Sequence, residues 1–166
     1  MRNLTHARLQ ELIAYDADAG TFSWAAGNEA RGGKRRAGTA AGCTRPDGYV
    51  RLTLDWNRYE AGRVAWLYMT GAWPAGEIDH RDGAPGNNRW SNLRDIPHRQ
   101  NIENRRRPNR QNKAGLLGVS SSRSGLYRAR ITVSGQCLLL GEFATAELAH
   151  AAYIDAKRQL HEGNTL

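Results

Sequence analysis

From Pro108 to Ala114 the chain carries no apolar side chain before its last residue. A segment that offers nothing to a core must run over the surface, so it separates what lies on either side. The 166 residues therefore divide into two small modules: residues 1–107, a linker over 108–113, and residues 114–162. Small modules bury a modest share of their surface, so stabilising help from a partner or ligand is expected. Eighteen glycines and a mean hydropathy of −0.68 point the same way, to loop-rich modules with modest cores.

The linker also sits inside the chain's charge excess. Between Arg94 and Arg130 there are ten Lys or Arg against Asp95 and Glu103, which accounts for the whole net charge of +8. A concentrated positive stretch suits a polyanion. Nine of the ten are arginine, whose planar fork suits phosphate, although basic runs are also found as plain solvated surface. The cluster Lys34-Arg35-Arg36 is a second, weaker candidate for phosphate contact. Cys43 and Cys137 stand alone, which excludes structural zinc of the four-cysteine kind and implies no disulfide framework. No apolar run approaches membrane-spanning length, so the expected setting is the reducing cytoplasm, with no membrane partner.

Along the first module, Leu4, Leu9, Leu12 and Ile13 predict a short amphipathic helix after Asn3 or Thr5 that stops near Asp16. Asp18–Thr21 reads as a turn into a strand at Phe22–Trp24. Residues 27–48 read as a mobile loop. Tyr49–Leu54 alternates as a strand, Asn57-Arg58 reads as a turn, and Arg63–Met69 predicts a helix ending at Gly71. This first part reads as scaffold. The polar residues then concentrate: Ile78-Asp79-His80, Asn87-Asn88-Arg89, Asn92-Leu93-Arg94 and Asn101.

Phosphodiester hydrolysis needs a base for water and a cation for the charge that builds on phosphorus and the leaving oxygen. Hard cations take oxygen ligands, and Asp79 and the Asn101 amide are of that kind. His80 offers a base whose unperturbed pKa lies near neutrality. Adjacent strand residues point to opposite faces, so Asp79 and His80 serve one site only where the strand ends or twists. The bland alternatives are a surface Asp-His pair and asparagines that cap turns.

Tyr59–Trp66, Gly71-Ala72-Trp73-Pro74, Ile78-Asp79-His80, Asn87-Asn88-Arg89, Asn92-Leu93-Arg94 and Asn101 together resemble the phage and intron-encoded HNH homing endonucleases. The spacing of 12 residues from His80 to Asn92 and 9 from Asn92 to Asn101 is similar to a variant ending in Asn. The resemblance implies a ββα-metal core around one divalent cation, Mg²⁺ or Mn²⁺. It implies His80 as general base, Asp79 and Asn101 as metal ligands, and Asn92 as a brace for the loop between the strands. Arg94 is implied near the scissile backbone. Two departures stand out: Gly62 occupies a position where many relatives carry His, and His98 competes with Asn101 as a ligand.

In the second module, Tyr127–Val133 alternates strictly, with Tyr127, Ala129, Ile131 and Val133 on one face and Arg128, Arg130 and Thr132 on the other. Ser134-Gly135-Gln136 turns the chain into Cys137–Phe143, and Thr145 caps a helix with Leu148, Ala152, Ala156 and Leu160 every four residues. A three-stranded sheet packed on one helix follows, making the whole chain α+β. Gly118-Val119, Tyr127–Ile131, Leu140–Phe143, Thr145–Glu147 and Ala151–Tyr153 resemble the DNA-binding domain named for APETALA2 and ethylene-response factors. That resemblance implies duplex DNA as partner and Arg123, Arg128 and Arg130 as contacts, with Gln136 a further candidate. Tyr127 stands where many members have Trp. Arg105, Arg106 and Arg107 are expected on phosphates.

Jointly the resemblances imply a phage- or mobile-element-encoded endonuclease acting in a bacterial cell, a monomer or weak dimer that nicks one strand per site. The competing expectations are a DNA-binding regulator with a degenerate HNH segment and an RNA-binding accessory protein. The second lacks a visible aromatic stacking surface.

Overall fold

The computed structural model describes residues 4–26, 36–104, 108–109 and 111–161. The chain divides into two compact units, Met1–Ile96 and Pro97–Leu166.

The first unit opens with helix α1 (His6–Leu12), whose Thr5 Oγ1 accepts from the Arg8 N–H at 3.2 Å. The helix ends earlier than its apolar pattern suggests. Ile13 is already extended, and β1 (Ile13–Asp16) pairs antiparallel with β2 (Thr21–Trp24). Asp16 shapes the connection, its carboxylate accepting from the N–H groups of Asp18 and Ala19. In the 27–48 stretch, residues 27–35, with Lys34 and Arg35, lie outside the described residues, and Arg36 is exposed. β3 (Cys43–Thr44) joins β4 (Val50–Leu54) and β5 (Asn57–Glu60) in an antiparallel sheet.

The β4–β5 turn is Asp55-Trp56, two residues earlier than expected. Both residues have positive φ, 45° and 66°, which suits the twist of a two-residue hairpin, and Asn57-Arg58 belong to the returning strand. Helix α2 (Ala61–Thr70) ends at Gly71 in the left-handed region, as its sequence predicts. Leu9, Ile13, Leu52, Leu54, Val64 and Ala65, all essentially inaccessible, centre one core across α1, the hairpin, the sheet and α2. Leu93 joins it from β7 (Leu93–Ile96), which pairs with β6 (Glu77–His80).

The second unit begins with the short helix α3 (His98–Glu103). Strands β8 (Val119–Ser121), β9 (Tyr127–Val133) and β10 (Gln136–Phe143) form a sheet in the order β10-β9-β8. Helix α4 (Ala146–Leu160) packs on it, with Thr145 Oγ1 accepting from the Leu148 N–H. The alternation in β9 holds: Ala129 and Ile131 are buried, Arg130 and Thr132 exposed. The buried stripe of α4 is not the leucine row. It is Ala149, Tyr153 and Lys157, while Leu148 and Leu160 are 55% and 43% exposed. Ala149 lets the helix approach the sheet closely, and the Lys157 stem supplies apolar length. Among the described residues no helix is long and apolar enough to cross a membrane.

Candidate active site

The β6–β7 hairpin is fixed from below. The Asp95 carboxylate accepts from the Ala75 and Gly76 N–H groups, each at 2.8 Å, and Arg63 on α2 donates to the Gly76 carbonyl at 3.1 Å. The Arg63 guanidinium lies 5.9 Å from the Trp73 ring centre, over its face. The first unit thus offers a rigid base for the last two residues of β6, Asp79 and His80, both 7% exposed.

The two side chains make separate contacts, as neighbours on a strand should. Asp79 is opposite Arg94 in the ladder, and its Oδ2 receives the Arg94 guanidinium at 2.7 Å. His80 turns to Asn88, with Nε2 and Oδ1 3.2 Å apart, and the Tyr49 ring stands edge-on with centroids 6.1 Å apart. Among the described residues the buried, unpartnered side-chain atoms belong to Glu60, Glu103 and His161. His80 Nδ1 is not one of them and has no hydrogen-bond partner there, so it keeps access to solvent.

Between the strands, residues 81–92 fold around Asp82 and Asn92. The Asn92 Nδ2 donates to Asp82 Oδ1 at 3.0 Å and to the Asn87 carbonyl at 2.8 Å, while its Oδ1 accepts from the Asp82 N–H at 3.1 Å. Asn87 Nδ2 donates to Asp82 Oδ2 at 2.6 Å. Partial burial pushes the Asp82 carboxyl up, but donors from Ala84, Asn87 and Asn92, together with the nearby His80, outweigh it and hold the group below its ordinary range.

The Asn87-Asn88-Arg89 motif meets the N-terminal hairpin through Tyr15, a residue not singled out in the sequence. Asn88 is 2% exposed, and its carbonyl accepts the Tyr15 hydroxyl at 2.6 Å. Burial, with the Asp16 charge adding to it, pushes the Tyr15 hydroxyl up to about 12. The Trp90 N–H donates to the Ala17 carbonyl at 2.9 Å. Gly20, at φ +72°, lies so close to this segment that a Cβ there would sit 2.4 Å from the Arg89 nitrogen. Gly62 also has a local reason: a Cβ would meet Ile78 Cγ2 at 3.0 Å and Asn88 Oδ1 at 3.4 Å. The Asn87-Asn88-Arg89 motif and the Asp18–Thr21 turn were each visible in the sequence, but not that they touch.

Asn101 and His98 stand on α3, in the second unit. There Arg99 reaches Ser134 Oγ at 3.5 Å and Glu103 at 3.4 Å. Arg105, Arg106 and Arg107 lie outside the described residues. Arg123 and Gln136 are exposed, as is Arg130, which is opposite Leu139 in the ladder. Arg128 differs, because its guanidinium is ion-paired with Glu142 across the sheet.

Does this donor set suit a hard divalent cation? Mg²⁺ keeps several waters and takes one or two carboxylates plus substrate phosphate, so a single buried carboxylate is the right chemistry. No group of three or more His, Cys, Asp or Glu able to hold a metal occurs among the described residues.

Residues 59–102, from β5 through α3, match a family model described as HNH endonuclease, a match to less than half of the chain. No curated relative matches the sequence. Among solved structures, the chain is similar to that titled "DNA binding and cleavage by the HNH homing endonuclease I-HmuI". The likeness has a TM-score of 0.43 and 21% identity over 56% of this chain and 51% of that one. The chain therefore spans about half the length of that protein.

Proposed function

We propose that the chain is a metal-dependent DNA endonuclease of the HNH type that nicks one strand per active site. The observation that carries the reading is His80 at the end of β6: one nitrogen is anchored, the other open, and a carboxylate is one residue away, all within the HNH-matched segment. His80 Nδ1 accepts the proton from the attacking water, and the scaffold keeps the ring from swinging. Asp79 would hold the cation, which when bound supplies Lewis-acid stabilisation of the phosphorane and of the departing oxygen. Arg94, paired with Asp79, is close enough to the same carboxylate to meet a phosphate, and Asn92 braces the loop.

The second unit fits as the reader, of the APETALA2 type. Its free sheet face carries Arg130, with Arg128 beside it, and a sheet of that kind can enter a major groove. Arg123 and the Arg105–Arg107 run add phosphate contacts that position the duplex. One observation favours a second reading, a non-catalytic DNA binder: the Arg94 guanidinium already neutralises Asp79.

The test is incubation of a pool of duplex sequences with the protein and Mg²⁺ or Mn²⁺, followed by mapping of the ends. Metal-dependent single-strand ends support the nuclease; intact DNA that is nevertheless bound supports the second reading.

A further inference from the structure

We infer that Asn88 is a positioning residue that locks His80 in its Nε2–H tautomer, and that the N-terminal hairpin belongs to the same device. The inference deepens the nuclease reading by stating which nitrogen does the work.

The orientation of the Asn88 amide is fixed by its neighbours. Asn88 Nδ2 donates to the Gly86 carbonyl at 3.2 Å. Rotating the amide would set its oxygen against that carbonyl oxygen, so Oδ1 is the end that faces His80. An acceptor at 3.2 Å requires a donor on the ring, so Nε2 carries the proton. In a neutral imidazole the lone pair then lies on Nδ1, the nitrogen that keeps access to solvent.

The amide cannot readily turn. Asn88 is 2% exposed, its N–H reaches the Gly86 carbonyl at 3.1 Å, and its own carbonyl is held by Tyr15. Gly62 leaves its Oδ1 room and no more, and Gly20 brings the β1–β2 connection against the Asn88–Arg89 peptide. The Tyr49 ring closes off another side of the imidazole. A base that had to find its tautomer and rotamer for each turnover would lose rate, which is how a supporting hydrogen bond contributes to catalysis.

Long-range ¹H–¹⁵N spectra of ¹⁵N-histidine protein test this directly, recorded where imidazoles are neutral, with the His80 signals assigned by their loss in His80→Asn. Wild type should show Nε2 protonated and Nδ1 bare. Asn88→Leu, which removes the acceptor, should mix the tautomers and slow nicking roughly tenfold or more without changing Mn²⁺ affinity. Asn88→Asp, which keeps an acceptor, should retain the tautomer. Nδ1–H in wild type, or an unchanged tautomer in folded Asn88→Leu, overturns the inference, and the wild-type spectrum decides even if the variant fails to fold. The spectrum and the chemistry are separable: Nε2–H in a protein that never nicks DNA supports the positioning and removes the nuclease reading.

Discussion

Replacing Gly20 with alanine should damage the first unit. Two costs combine. At φ +72° an L side chain is in the left-handed region, worth about 1–2 kcal/mol. The new Cβ would also sit 2.4 Å from the Arg89 nitrogen and 2.6 Å from the Asn88 carbonyl carbon, both backbone atoms. Separations near 3.5 Å are comfortable, so one backbone must retreat by about 1 Å. That retreat strains the Tyr15–Asn88 hydrogen bond, adding about 1 kcal/mol. A total of about 2–4 kcal/mol is a large part of a small unit's stability. Gly38→Ala is the matched control: its φ is +77°, but a Cβ there meets nothing within 4 Å, so it should show only the first cost. All five tryptophans lie between Trp24 and Trp90, so fluorescence-monitored urea unfolding follows this unit. Equal losses in the two variants would refute the close-approach argument. A Gly20→Ala protein that unfolds early yet keeps the wild-type His80 tautomer would refute the link to the base.

Tyr15→Phe should cost about 1–2 kcal/mol by leaving a buried carbonyl without its donor, and it should remove from an ultraviolet titration the tyrosine whose hydroxyl is pushed up to about 12. Asp82 sits below its ordinary pKa, so its contribution to the 81–92 loop is complete above the unfolded carboxylate value near 3.9 and is lost as pH falls through the lower folded value. Acid titration of wild type should therefore show a loss of loop protection to hydrogen exchange that Asp82→Asn lacks. Arg130→Ala should weaken DNA binding and reduce the salt slope by about 1, while Arg128→Ala should do less because Glu142 already holds that charge.

Much of the site was legible because its chemistry lies in one contiguous stretch. Asp79, His80, Asn92 and Arg94 fall on two short strands and the loop between them, so spacing alone brings them together. The β9 alternation was legible for the same reason, since period two survives any tertiary arrangement. What escaped depends on contacts between distant segments. Nothing in Tyr15 or Gly20 announces that they meet Asn88, 73 residues on from Tyr15. The Asp55-Trp56 turn escaped because neither residue is the glycine that usually signals positive φ. On α4 the leucines drew attention, yet the face buried against the sheet is Ala149, Tyr153 and Lys157, leaving Leu148 outside.

If the imidazole of His80 does chemistry and not binding, duplex affinity and supercoiled-plasmid nicking should part company in His80→Ala. Measured side by side with Mg²⁺ or Mn²⁺, wild type should give open circles and the variant almost none, while the two proteins bind DNA equally well. Equal nicking by both, or loss of binding in step with loss of nicking, would mean that the imidazole is not the base.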